Sequence, residues 1–313
     1  MTPSIFVSIA NYRDAETSKT INSIFDNARH PDRIMVGVIS QVDMKTDAHC
    51  LAPRHARVKQ IVTSHTESKG CCWARNRVMT ELLGGEEFFL QIDSHTRFDI
   101  DWDLLALKLW SQCNDEKAFL SHYPPAYHPD GTFGPRNYNW HKVKEFMKNG
   151  IPKLNSGSLG KKDAPKAPIR NPFMAGGCFF TKADTVRKVP YDPYIYFEGE
   201  ETSYAVRLFT HGYNGYTPTE PFLYHLYYNV EHGRARHFED NNDYHEKNRT
   251  SFARIRHMLS IEQCANPLYM TEYEKYKLGS FRTLEQFEHF SGVYFKEQKL
   301  TQRAKDGDYA NIK

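Results

Sequence analysis

The stretch EEFFLQIDSHTRFDIDWD, residues 86–103, decides how this chain is read. Residues 88–92 are a short apolar run, of the length and composition of a strand buried on both faces. Asp93 and His95 follow at its carboxyl end. In open α/β sheets, ligands collect beyond the carboxyl ends of the strands. A carboxylate and an imidazole two residues apart at that end suit a shared divalent cation. Oxygen and nitrogen donors together favour manganese or a similar borderline ion over calcium. Taken alone, Asp-x-His is a weak signal, and a turn in which Asp93 caps the next segment explains it as well.

Working outward, residues 5–10, 33–40 and 58–63 read as strands, and residues 16–28 and 72–83 as helices. Residues 101–113 carry Trp102, Leu105 and Leu109 on one helical face, with Trp102 and Asp103 as the anchors of that helix. Alternating strands and helices argue an α/β fold, a mostly parallel central sheet flanked by helices. From 128 to 170 the composition turns to Gly, Pro, Lys, Asn and Tyr without a hydrophobic period, which reads as a long loop over the site. Order returns with FMAGGCFF at 173–180, where Gly176 and Gly177 let backbone come close to a ligand. A helix then runs to about residue 211 and stops at Gly212. PFLYHLYY at 221–228 is the last apolar run. Residues 1–232 are expected to form the domain that carries these motifs, and 233–313 a mostly helical extension packed on it.

The bulk numbers exclude several classes. In 313 residues, 41 basic and 38 acidic side chains leave a net charge of +3, so neither a nucleic-acid footprint nor a polybasic membrane patch is expected. No charged leader precedes an apolar core, and no run approaches the roughly 18 apolar residues of a membrane helix. A soluble, cytoplasmic protein is the expectation. The six cysteines, Cys50, Cys71, Cys72, Cys113, Cys178 and Cys264, are scattered in a chain too long to need staples, and read as reduced structural thiols. Cys71-Cys72 is not Cys-x-x-Cys, so neither a zinc ribbon nor a thioredoxin-like site is indicated.

Three further features could carry chemistry. His225 interrupts an aromatic apolar run, where a charged imidazolium would be costly. A lone buried histidine is more often a satisfied core residue, and His225 gains as a third metal ligand by coupling to Asp93 and His95. Glu198, Glu200 and Glu201 precede a helix whose dipole favours one or two acids, and three beside Gly199 exceed that need. They could bind sugar hydroxyls, orient an acceptor or act as base. SKGCCWARNR at 68–77 sets Lys69, Arg75 and Arg77 around a helix start, a fit place for pyrophosphate, although solvated charge explains them equally. Neither a Walker loop nor Gly-x-Gly-x-x-Gly occurs, so P-loop hydrolysis and hydride transfer are unsupported.

SIANYRD (8–14), SKGCCWARNR (68–77), FFLQIDSHTRFDIDWD (88–103), YFEGEETSYAVRLFTHGYNGYTP (196–218) and YKLGSFRTLEQFEHFSG (276–292) together resemble glycosyltransferase family 60. These are the GlcNAc-transferase-domain proteins, which include polypeptide α-N-acetylglucosaminyltransferases. The resemblance spans nearly the whole chain and implies a GT-A fold, a UDP-sugar donor, a protein or glycan acceptor and a divalent cation, usually manganese. It implies Asp93, His95 and His225 as metal ligands, a motif shared with the mucin-type polypeptide GalNAc transferases. Asn11, Tyr12, Arg13 and Asp14 fall on the first-strand motif near the nucleotide, and Arg75 on the donor-binding helix. Ser94, Gly176 and Gly177 complete the expected nucleotide-sugar set. Glu200 and Glu201, with Arg75, are the expected catalytic group. Transfer with retention is likewise implied. A transferase with a saccharide acceptor, a non-catalytic binding module and a metal-dependent hydrolase remain alternatives; hydrolase sites generally hold two metals and more ligands than this sequence assembles.

Overall fold

The structure is a computed structural model and describes residues 2–227 and 235–310. Strands β1 (Ile5–Tyr12), β2 (Ile34–Val42), β3 (Val58–Ser64) and β4 (Phe88–Asp93) lie parallel in the order β3-β2-β1-β4. The chain steps outward from β1 to β3 and then crosses back to set β4 on the other side of β1. That reversal opens a crevice between the carboxyl ends of β1 and β4, where an open α/β sheet takes its ligands.

The remaining described strands are β5 (Thr96–Phe98), β6 (Ala118–Ser121), β7 (Tyr138–Phe146), β8 (Pro152–Leu159), β9 (Ile169–Arg170), β10 (Cys178–Lys182), β11 (Asn214–Thr217), β12 (Leu223–His225) and the short pair β13 (Val293–Tyr294) and β14 (Lys299–Leu300). Of these, β6, β9, β10 and β11 complete an eight-stranded sheet, β3-β2-β1-β4-β10-β6-β11-β9, in which β10 and β9 run against the others. This is the mostly parallel, helix-flanked α/β sheet expected from the sequence. A separate ribbon pairs β5 with β12 antiparallel.

The helices are α1 (Thr17–Asp26), α2 (Cys71–Arg77), α3 (Trp102–Ser111), α4 (Ala183–Lys188), α5 (Glu200–Thr210), α6 (His237–Asp240), α7 (Tyr244–Met258), α8 (Tyr273–Tyr276), α9 (Leu284–Ser291) and α10 (Gln302–Asp306). Because strand side chains alternate between faces, β1 splits its apolar residues between two cores. Ile5, Val7 and Ile9 join Ile21 and Ile24 of α1 and Trp102 and Leu109 of α3. Phe6 joins Phe89, Cys72 and Ala74 of α2, and Tyr204 and Leu208 of α5. Each buried Val, Leu, Ile or Phe side chain among them contributes about 1.5–3 kcal/mol. The start of α3 is tied to the end of α1: the Trp102 indole N–H donates to the Ile24 carbonyl at 2.9 Å, and the Asp103 carboxylate accepts from the N–H groups of Arg29 and His30.

The stretch from 128 to 170 is not one long loop. It contains an antiparallel hairpin, β7 with β8, whose inward Val143 joins the core on the α2 and α5 face. A register shift between Val143 and Glu145 breaks the alternation of β7, and β8 has only Leu154 and Leu159 as apolar side chains beyond Pro152 among Lys, Asn, Ser and Gly, so no hydrophobic period marks either strand. Gly157 lies flat against Trp140, where a Cβ would come within 2.2 Å of the indole.

The C-terminal elements share the core. Ile255 of α7, Phe287 and Phe290 of α9, and Tyr309 pack on the α2 and α5 face. Arg254 donates to Asp192 at 2.6 Å with both side chains buried. The domain boundary expected at 232 and 233 falls outside the described residues. Among those described, no helix is long and apolar enough to cross a membrane, and all six cysteines are free thiols.

Candidate active site

Asp93 ends β4 and points into the crevice beside β1. The β5–β12 ribbon brings His225 opposite Thr96, and so alongside the Asp-Ser-His turn. One ligand atom from each of Asp93, His95 and His225 lies within 4.8 Å of the others. His225 Nε2 is 3.0 Å from Asp93 Oδ2. The two imidazole rings are 4.7 Å apart and near perpendicular. His95 Nδ1 is 2.7 Å from Asp14 Oδ2, and Ser94 Oγ donates to the same oxygen at 2.8 Å. With Nδ1 held by a buried carboxylate, Nε2 is the ring nitrogen left for a ligand, the usual support of a metal-binding histidine. One carboxylate and two imidazoles suit a borderline divalent cation, and the cluster fits such an ion by donor type and spacing.

Burial raises the Asp93 carboxyl, but the hydrogen bond and charge of His225, with Arg75 and His95, hold it well below the usual carboxylate range. Burial likewise opposes ionisation of Asp14, and His95, Glu16 and Ser94 bring it below its ordinary value. Both carboxylates stay charged at neutral pH.

Arg75 is buried beneath this cluster and bridges it to α5. Nη2 donates to Asp93 Oδ1 at 3.2 Å and to the Gly176 carbonyl at 3.3 Å, while Nη1 donates to Glu200 Oε1 at 2.6 Å. Burial disfavours the guanidinium, but Glu200, Tyr191, Cys71 and Asp93 hold its pKa well above the usual value. Arg77, by contrast, pairs with Glu81 one turn along its own helix, and Lys69 is exposed. The basic trio of the 68–77 stretch is therefore not gathered at the helix start.

Glu201 is engaged at both oxygens: Oε1 accepts from the Gly176 N–H at 2.8 Å and Oε2 from the Tyr123 hydroxyl. Burial, then the charge of Glu200, push its carboxyl up to about 7. Gly176 and Gly177 are where backbone meets these side chains. A Cβ on Gly176 would lie 2.5 Å from Glu200 Oε1, and one on Gly177 would lie 3.0 Å from Asp93 Oδ2. The two glycines thus admit the protein's own charged groups. Gln91, inside β4, holds the same turn by donating to the Gly176 carbonyl at 2.8 Å. Tyr123 and Gln91 escaped the sequence reading, though an amide within an apolar strand was a signal for the second.

Two cavities lie along this region, one of them walled by Asp93 and Arg75. One, of about 370 Å³, is lined by Asp93, Arg75, Tyr123, the 176–177 turn and residues 197–202, with Met147 and residues 152–154 of the hairpin on its far side. The other, of about 290 Å³, lies at the ends of β1 and β2 and is lined by Tyr12, Gln41, Ser68, Cys71, Tyr196 and His237, among others. Phe197, 54% exposed, borders both. Across the second cavity, Asp240 accepts from the Tyr12 hydroxyl at 2.9 Å and from Arg13 Nη1 at 2.8 Å. Asn11 is wholly buried, its amide donating to Ser40 Oγ and the Cys50 carbonyl and its Oδ1 accepting from the Asp14 N–H. It braces the turn from beneath and does not line either cavity.

A family model described as Glycosyltransferase (GlcNAc) matches residues 4–57 and 49–297. Among solved structures, GalNAc-T7 with UDP, GalNAc and Mn2+ is similar with a TM-score of 0.61 at 13% identity, over 92% of this chain and 56% of that one. The chain thus spans little more than half the length of that protein. S. aureus TarS 1-349 in complex with UDP-GlcNAc is similar with a TM-score of 0.47 at 12% identity, over 87% of this chain and 71% of that one. No curated protein matches the chain. At 13% identity, the likeness to GalNAc-T7 shows a shared fold.

Proposed function

The chain belongs to the GlcNAc glycosyltransferase family, and from that premise we propose that it moves GlcNAc or a related HexNAc from a UDP-sugar to a hydroxyl of a protein or glycan, with retention and with a divalent cation, manganese first. The observation that carries this reading is the convergence of Asp93, His95 and His225 at the β1–β4 crevice, with Asp93 on the wall of one cavity and Phe197 joining that cavity to a second at the ends of β1 and β2. Those three residues would hold the cation, which when bound neutralises charge on the diphosphate leaving group. The cavity at β1 and β2 would take the nucleoside against Tyr12 and Gln41. The cavity beside Glu198, Glu200 and Glu201 would take the sugar and the acceptor hydroxyl.

In this reading Arg75, Glu200 and Glu201 are positioning residues. Arg75 spends its charge on Asp93 and Glu200, and Glu201 clamps the 176–177 turn. A nucleophile or base among them would first have to give up these bonds. The structural likeness to a protein solved with UDP, GalNAc and Mn2+ supports the same donor class and ion. A cytoplasmic location belongs to the proposal too.

The test is UDP release from a panel of UDP-sugars, each with and without manganese, for the wild type and Asp93→Ala. Manganese-dependent turnover of UDP-GlcNAc is expected, with a loss of at least about a hundredfold in the folded variant. No turnover with any donor, or full activity in Asp93→Ala, refutes the assignment.

A further inference from the structure

A second donor cluster lies beside the nucleoside cavity, and its two thiols go unused in the proposed reaction. Cys71 and Cys72 open α2 and Glu200 opens α5, and one ligand atom from each lies within 4.8 Å of the others. The two sulfurs are 3.8 Å apart. Two thiolates at about 2.3 Å from one tetrahedral zinc stand about 3.8 Å from each other. Cys72 Sγ is 4.0 Å from Glu200 Oε2, the oxygen that Arg75 does not bind.

Charge points the same way. Two thiolates and the Glu200 carboxylate carry three negative charges that the Arg75 guanidinium, shared with Asp93, offsets only in part, and a divalent ion brings this buried group toward neutrality. Arg75 Nη1 is 3.9 Å from Cys71 Sγ, where it can donate to a metal-bound thiolate. Loss of the Cys71 thiol proton costs the Tyr196 carbonyl little, because that oxygen keeps the Cys71 N–H at 3.1 Å. Cys71 lines the wall of the 290 Å³ cavity, which gives an ion its way in and room for water as a fourth ligand.

We propose that Cys71, Cys72 and Glu200 form a second metal site, for a thiophilic divalent cation such as zinc, distinct from the harder site of Asp93, His95 and His225. Sulfur donors select the softer ion and the carboxylate with two imidazoles the harder one. An ion at the second site also fixes Glu200 and narrows the nucleoside cavity, so its occupation inhibits transfer. This inhibition rests on the proposed function; the binding itself does not.

The experiment titrates the whole reduced protein with cadmium in the presence of a phosphine reductant and reads the thiolate-to-metal charge-transfer absorption, which oxygen and imidazole ligands do not give. One equivalent should saturate the band, the band should vanish in Cys71→Ser and in Cys72→Ala, and it should survive in Asp93→Ala. Absence of the band in the wild type, or its survival in either cysteine variant, overturns the site. Cys71 is partly exposed, so its serine variant keeps the test open where Cys72→Ala fails to fold. If the protein transfers sugar, zinc should inhibit the manganese-supported reaction, with the half-inhibitory concentration at least about tenfold higher in Cys72→Ala. An unchanged value overturns the inhibitory role and leaves the spectroscopic result to judge binding.

Discussion

His122 and His141 lie wholly buried behind the acidic cavity. Among the described residues, neither ring nitrogen of His141, nor Nε2 of His122, has a hydrogen-bond partner. The His141 ring meets the Tyr123 ring edge-on at 4.9 Å, and Tyr123 in turn holds Glu201. Both imidazoles are pushed down from 6.5 to about 3, His122 by burial and His141 by burial with the charge of His122 added. Between those values the unfolded chain binds more protons than the folded one. Stability is therefore full above about pH 6.5 and is lost as pH falls toward 3. Each histidine removes about 2 kcal/mol by about pH 5. His141→Phe should keep that amount at acid pH while matching the wild type above neutrality, as read by denaturant melts at both. Parallel pH dependence in the two proteins would show that His141 is not held neutral. Little of this was legible in the sequence. Asp93 and His95 announce themselves by following an apolar run, and His225 by interrupting one. Arg75, Glu200 and Glu201 announce only that they are charged, and which partners Arg75 takes is set by elements 18 positions away at Asp93 and 125 away at Glu200.

At the scale of elements, the strands that build the crevice were readable because they are buried on both faces and hence continuously apolar. The β7–β8 hairpin was not, because its residues meet solvent, a bulge and Trp140 in turn and leave no period to read. Strand spacing has its own requirement at Gly37 of β2, where a Cβ would come 2.2 Å from the Phe6 ring tip. Phe6 is fixed in turn by a stacked Phe89 at 6.0 Å. Gly37→Ala should cost about 1–3 kcal/mol by overpacking, read as a lower melting temperature, and Phe6→Leu should recover part of the loss in the double variant. A strictly additive double variant would mean that the two positions do not compete for that space.

For the whole molecule, the C-terminal elements are part of the fold's interior, since Ile255, Phe287 and Tyr309 share a core with Phe6 and Phe89. The sequence showed helices there but not which face they cover. Calorimetry of the intact chain should give one cooperative transition, and two separated transitions would mean that the tail folds on its own. The chain separation within the ligand trio has a different consequence. Asp93 and His225 are 132 positions apart, so bringing them together in a disordered chain costs about 4 kcal/mol of loop-closure entropy. The folded chain has already met that cost, and an unfolded one has not, so a cation held by the trio, as proposed, would act as a clasp that closes on the native state alone. Free manganese at about one hundred times its dissociation constant should then add about 2.7 kcal/mol to unfolding stability. The melting temperature should climb with manganese in the wild type and stay flat in Asp93→Ala, so that a thermal scan reports occupancy of the site without any sugar being transferred.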